Sequence, residues 1–257
     1  MLSRSLDRMK QVPGEAEEHS PEGVEARLSN APKPSYVRDF VYGAIDGAVT
    51  TFAIVAGAAG ANLGASVVMI LGLANLFADG FSMAVSNFLG SRAEREQQRV
   101  ARQKEGRHID LYPEGEREEI RQLFAAKGFE GENLETAVTV ITADRERWIG
   151  TMMSDELGFP GTLSSPVRSA ISTFVAFLAV GTIPLFSFLL NLAFPGSISD
   201  PFLVSAILTG VAFGAVGVLK SVVIRQKWWR GGIETLVLGG TAALVAYLVG
   251  VVLEGIG

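Results

Sequence analysis

The chain has 257 residues, 48% of them hydrophobic, with 22 Lys and Arg against 27 Asp and Glu for a net charge of −5. It contains no cysteine, which excludes disulfides and thiolate metal sites and leaves methionine as the soft donor. The acidic balance offers nothing to a nucleic-acid partner, and the averages conceal two regimes, five apolar segments and two charged ones.

Residues 1–35 are polar, rich in Pro, Gly and Glu, and lack the apolar stretch of a cleavable signal peptide, so they are expected to form a disordered cytoplasmic tail. Apolar runs at about 38–62, 64–90, 167–193, 200–224 and 231–254 follow. Each is long enough to cross roughly 30 Å of hydrocarbon at about 1.5 Å per helical residue. Residues 36–90 therefore hold the first two membrane helices and 167–257 the last three. The turns near Asn62 and Pro195 and the C-terminus at Gly257 carry no Lys or Arg, whereas 1–38 hold six, 91–166 hold eleven, and Arg168, Lys220, Arg225, Lys227 and Arg230 complete the set. The positive-inside rule then puts the N-terminus and 91–166 in the cytoplasm and the C-terminus outside.

The 91–166 insertion reads as a helical domain. Ser91 to Arg107 continues the second span as a charged helix. Pro113 suits a first helical turn and Gly128 a C-terminal cap, bracketing a second helix. A third is predicted from about Glu132 to Leu157, with Leu134, Val138, Ile141, Ile149 and Met152 near helical spacing. No strand pattern occurs, and the expected fold is all-α.

Polar groups inside the spans are costly unless they face a partner or water. Asp46 and Asp79 are the two carboxylates that cannot reach the interface easily. Asp46 lies about 12 Å beyond Arg38 and Met83 about 13 Å before Arg92, counting residues along the helix, so the two sit at similar depth. Asp79, Met83 and Asn87 share one helical face, and Asp46 shares another with Thr50. Such a set of oxygens with one sulfur suits a borderline divalent cation; pairing with Ser or Thr hydroxyls and ordinary packing are the competing readings. Glu234, four residues from Arg230, reads as half of an interfacial ion pair. Gly43-x-x-x-Gly47 and Gly210-x-x-x-Gly214 permit close helix approach, within the bundle or at a dimer face.

A second constellation lies in the insertion: Glu105-x2-His108-x7-Glu116-x2-Glu119, then Met152-Met153-x2-Glu156. Each i, i+3 pair presents two donors on one face, and the turn at Pro113 folds the two pairs toward a common centre. Carboxylates, one imidazole and thioethers suit Fe²⁺ better than Ca²⁺ or Mg²⁺; a solvated acidic face is the alternative. Glu105-x2-His108 also matches the Glu-x-x-His element of membrane-anchored di-iron carboxylate oxidases, which need a second such element.

Three stretches carry a family resemblance: Asp46-Gly-Ala-Val-Thr-Thr-Phe-Ala, Ala-Asp-Gly-Phe-Ser-Met83-Ala, and the last span with Gly239-Gly240 and Tyr247-Leu-Val-Gly250. Over about 36–257 the chain resembles the vacuolar iron transporter family. The resemblance implies a non-enzymatic, five-helix homodimer that exports Fe²⁺, and often Mn²⁺, from the cytosol in exchange for protons, with Co²⁺ or Zn²⁺ as further cargo and no resident cofactor. It implies that Asp46 and Met83 line the path at the dimer interface. It also implies that Glu105, Glu116, Glu119, Met152, Met153 and Glu156 capture metal. His108 stands where the usual pattern has a glutamate, and Asn87 where some members carry a carboxylate. The motifs look bacterial, which implies a prokaryotic inner membrane.

Overall fold

The computed structural model describes residues 19–29 and 34–254. The described residues divide into two units, one of 19–29 and 34 with 160–163 and one of 35–159 with 164–254. In the first, Pro21–Ser29 forms helix α1; the rest of the expected tail, 1–18 and 30–33, lies outside the described residues.

The larger unit is all helical among the described residues, and five of its helices are long and apolar enough to span a membrane. They are α2 (Val37–Gly60), α3 (Ala65–Leu111), the pair α7 (Pro166–Gly181) and α8 (Phe186–Ala193), α9 (Pro201–Val223) and α10 (Trp228–Leu253). Helix α2 is central and packs against the other four spans. The third span is not one straight helix. Pro184 cannot donate to the preceding turn, and a short 3₁₀ segment, Ile183–Leu185, joins α7 to α8.

Glycines set the helix spacing. A Cβ on Gly43 would lie 2.3 Å from the Thr173 carbonyl oxygen, and one on Gly47 2.5 Å from that of Phe177. The Gly43-x-x-x-Gly47 seam therefore packs α2 on α7 within one chain. Gly210-x-x-x-Gly214 does not work this way, since Gly214 faces open space. The close approach of α9 and α10 falls one turn later, where a Cβ on Gly217 would sit 2.2 Å from the Gly231 oxygen. Gly47→Leu should push α7 off α2 and cost about 3 kcal/mol or more. Thermal unfolding in detergent would measure it, with Gly214→Leu as a near-neutral comparison.

Helix α3 runs unbroken from the bundle into the insertion, as expected, and ends at Leu111. Pro113 opens α4 (Pro113–Ala126), and Gly128, at φ +92°, closes it in the left-handed conformation, with Phe129 N–H donating to the Phe124 carbonyl. The predicted third helix is broken. Helix α5 (Gly131–Thr142) stops, and Asp144 caps α6 (Arg145–Thr151) by accepting from the Arg147 N–H at 2.8 Å. A local cap here outcompetes helix continuation. A π turn, Met152–Glu156, follows. Ile109, Ile120, Val138, Trp148, Ile149, Met152 and Met153 form the insertion's own core.

Candidate metal centre and membrane cleft

Glu105 and His108 occupy the last two turns of α3, and Glu116 the first turn of α4. The Tyr112–Pro113 reversal brings them together, with one donor atom from each within 4.8 Å of the others. His108 Nδ1 is 3.3 Å from Glu116 Oε1. Arg145 fixes this end of α3 from α6, donating to the Gly106 carbonyl at 2.8 Å and to Asp110 at 2.9 Å. Lys127 pairs with Asp155 and ties the π turn to the end of α4.

Glu105 and Glu116 are only 3% and 4% exposed, and Glu116 Oε2 is buried without a hydrogen-bond partner. A buried carboxylate oxygen left this way is expensive unless a proton or cation serves it. Burial first, then the charges of Glu119, Glu105 and Glu156, push the Glu116 pKa from its ordinary 4.5 to about 7, with Lys104 opposing. Glu156 is raised too, by burial and then by Glu119 and Glu105. Glu119 and Glu156 stand outside the trio on the surface, close enough for their charges to reach it. Met152 and Met153 are buried in the adjoining core, on a π turn, a distortion that recurs at functional sites.

An unfolded chain releases the Glu116 proton near 4.5, whereas the fold retains it to about 7. Protonation therefore favours the metal-free fold, fully below 4.5, and that contribution is lost as pH rises through 7. The thermal midpoint of metal-free protein should fall between about pH 5 and 7.5, and Glu116→Gln should flatten the decline. Melting curves across this range, with and without Mn²⁺, would show it; the metal should restore the midpoint at the alkaline end.

In the bundle, Asp46 of α2 and Met83 of α3 are half-buried and line one cleft of about 690 Å³, together with Arg38, Tyr42 and Ile45 of α2 and Lys220 of α9. Asp79 lies near enough for its charge to act on Asp46. Thr50 turns away, donating to the Asp46 carbonyl at 2.9 Å. Asn87 is held in a buried network, its amide 2.6 Å from Thr173 Oγ1 and 3.2 Å from Asp39 Oδ1. Asn87 and Met83 share a second, smaller cleft with Arg38 and Asp39.

Asp39 is the polar residue that sequence reasoning passed over. It is 5% exposed, and the Arg38 guanidinium stays 4.0 Å away. Its position seven residues before Asp46, on the same helical face, was the available signal. Glu234 does form an ion pair, but with Lys220 at 3.0 Å; Arg230 instead stacks over the Trp229 ring at 5.5 Å.

Five helices long and apolar enough to span a membrane, with a carboxylate and a thioether lining one cleft among them, describe an integral membrane protein. Residues 37–251 match the model of the VIT family, and the chain belongs to that family, the vacuolar iron transporters. It is 31% identical over 225 residues to the "Vacuolar iron transporter" of Plasmodium berghei (strain Anka), spanning 85% of this chain and 82% of that protein. It is 30% identical to the protein of the same name from Toxoplasma gondii (strain ATCC 50861 / VEG), spanning 85% and 74%. Against "Vacuolar iron transporter 1" of Arabidopsis thaliana it is 28% identical, spanning 85% and 86%.

Proposed function

We propose that this protein transports Fe²⁺, and Mn²⁺ as a second cargo, out of the cytosol in exchange for protons. The observation that carries the reading is the Glu105, His108 and Glu116 trio with its unpartnered buried oxygen, on a chain whose relatives are named iron transporters. Two carboxylates, an imidazole and nearby thioethers favour a borderline divalent ion over Mg²⁺ or Ca²⁺. Glu119 and Glu156 add negative potential that draws cations to the trio.

The basic residues border one membrane face, which supports a cytosolic insertion. Metal is gathered there, enters the cleft at Asp46 and Met83, and leaves on the opposite face. Protons returning by the same carboxylates reset the site. The cleft opens on the bundle surface, so a second copy across it would enclose the ion, which supports a homodimer. The relatives are named for a vacuole; for this chain the membrane is proposed to be a prokaryotic inner membrane. The di-iron oxidase alternative needs a second Glu-x-x-His element, and the trio holds one imidazole.

Proteoliposomes offered Fe²⁺, Mn²⁺, Co²⁺ and Zn²⁺, with and without an imposed pH gradient, test the proposal. Gradient-stimulated uptake led by Fe²⁺ is expected. Metal flux indifferent to the gradient would remove the proton exchange, and absence of flux for all four ions would remove the transporter reading.

A further inference from the structure

The turn between α9 and α10 carries three cations in six residues, Arg225, Lys227 and Arg230. Among the described residues none of the three makes an ion pair, whereas the nearby Lys220 is satisfied by Glu234. The turn is held firmly. Arg225 sits at φ 53°, Gln226 N–H donates to the Ser221 carbonyl at 2.8 Å, and Gly231 N–H donates to Ser221 Oγ at 3.1 Å. The backbone contact of Gly217 with Gly231 clamps the two helices just inside it.

Two tryptophans flank the cations, Trp228 at 66% and Trp229 at 44% exposure. Exposed indoles beside a hydrocarbon-spanning helix are at home at headgroup level, with the ring in the acyl boundary and the N–H in the polar layer. Val222 and Ile224, also exposed, continue the surface into the apolar zone. Lys227 is the N-cap of α10, whose first N–H groups add the positive end of a 26-residue helix dipole.

From this juxtaposition we propose that the α9–α10 turn binds the headgroup of an anionic phospholipid, with its phosphate among Arg225, Lys227 and Arg230 and its acyl chain along Val222 and Ile224. Uncompensated charge and apolar surface meet at one edge, which matches an amphiphile that is both anionic and membrane-resident. A topogenic role alone requires the cations but neither the two exposed indoles nor a clamped turn. The inference requires only that the bundle spans a membrane and is independent of the cargo.

The full chain, delipidated in detergent, is titrated with mixed micelles containing phosphatidylglycerol or phosphatidylcholine while bound lipid is counted by native mass spectrometry and thermal unfolding is followed. Phosphatidylglycerol should be retained and raise the midpoint, and phosphatidylcholine should do neither. The triple variant Arg225→Gln, Lys227→Gln, Arg230→Gln should lose about a hundredfold in phosphatidylglycerol affinity, at roughly fivefold per cation. Arg168→Gln, which neutralises an exposed cation at the start of α7, should keep the wild-type response. Should the triple variant misfold, the wild-type protein still decides: high salt should abolish its preference between the two lipids. Equal retention of both lipids, a preference unmoved by salt, or the same stabilisation by soluble glycerol phosphate would each overturn the proposal.

Discussion

Proteoliposomes bearing Asp46→Ala should take up iron at a background rate while the protein keeps its helix content and its elution volume. Asp46 is the one carboxylate lining its cleft among the described residues, and the charged groups beside it there, Arg38 and Lys220, are cations. Stripping its charge leaves a cation in the cleft with the more distant Asp79 as its remaining counter-charge and with Arg38 and the Glu234-paired Lys220 beside it, a loss on the order of 3 kcal/mol or a hundredfold in occupancy. Met83→Ala should be milder. It removes a polarizable donor but no charge, so flux should fall and the preference for Fe²⁺ over harder Mn²⁺ should narrow. Wild-type flux by a folded Asp46→Ala protein would move the path away from this cleft.

The second large effect is expected in the insertion. Replacing Glu105, Glu116 and Glu119 together by alanine should eliminate high-affinity Mn²⁺ binding by the full chain, because losses of even outer-shell partners cost about 10–100-fold. Transport at saturating metal should persist through the intact bundle. His108→Glu tests the departure from the all-glutamate pattern: added negative charge should favour Mn²⁺ and other hard ions relative to Fe²⁺. Its effect on pH dependence is the more informative part. Both a neutral imidazole and an ionised Glu116 are needed for binding, and Glu116 itself titrates at about 7. The His108→Glu protein should therefore bind metal less steeply with pH than wild type, yet retain a slope that Glu116→Gln removes. Calorimetric titrations from about pH 7.5 to 5.5 would separate the two groups. Equal binding by the triple variant would make the acidic run an ordinary solvated face.

The spans were legible because hydrocarbon thickness demands about twenty apolar residues each, and the observed helices begin and end within a few residues of the predicted runs except at the end of α3, which continues past the apolar run to Leu111. The trio was legible for a local reason. Glu105 and His108 are one turn apart, and Pro113 announces the reversal that delivers Glu116 to them. What depends on tertiary partners was not. Glu234 has Arg230 one turn away in sequence, but the neighbouring helix supplies Lys220. Gly210 and Gly214 carry the small-residue spacing, yet the register of α9 on α10 puts Gly217 at the crossing. The helix predicted through 132–157 has continuous apolar periodicity, and only the Asp144 cap interrupts it. Asp39 is buried because Asn87 and Thr173, from two other helices, close over it.

The unbroken α3 acts as a ruler. Met83 and Glu105 are 22 residues apart on it, about 33 Å along a rigid axis. That span is several Debye lengths at physiological ionic strength, where one is about 8 Å, so an ion on the trio is electrically silent at the cleft. The two sites therefore cannot share one ion, and an ion leaving the trio has to travel that distance before it reaches Met83. Confined within a sphere of that radius, a single ion has an effective concentration on the order of 10 mM. On the proposed function, we infer that the insertion serves as a reservoir that keeps the mouth of the cleft supplied when metal is scarce. Its disruption should appear as a higher KM with little change in maximal rate, while a rigid lengthening of α3 should dilute the reservoir without touching either site.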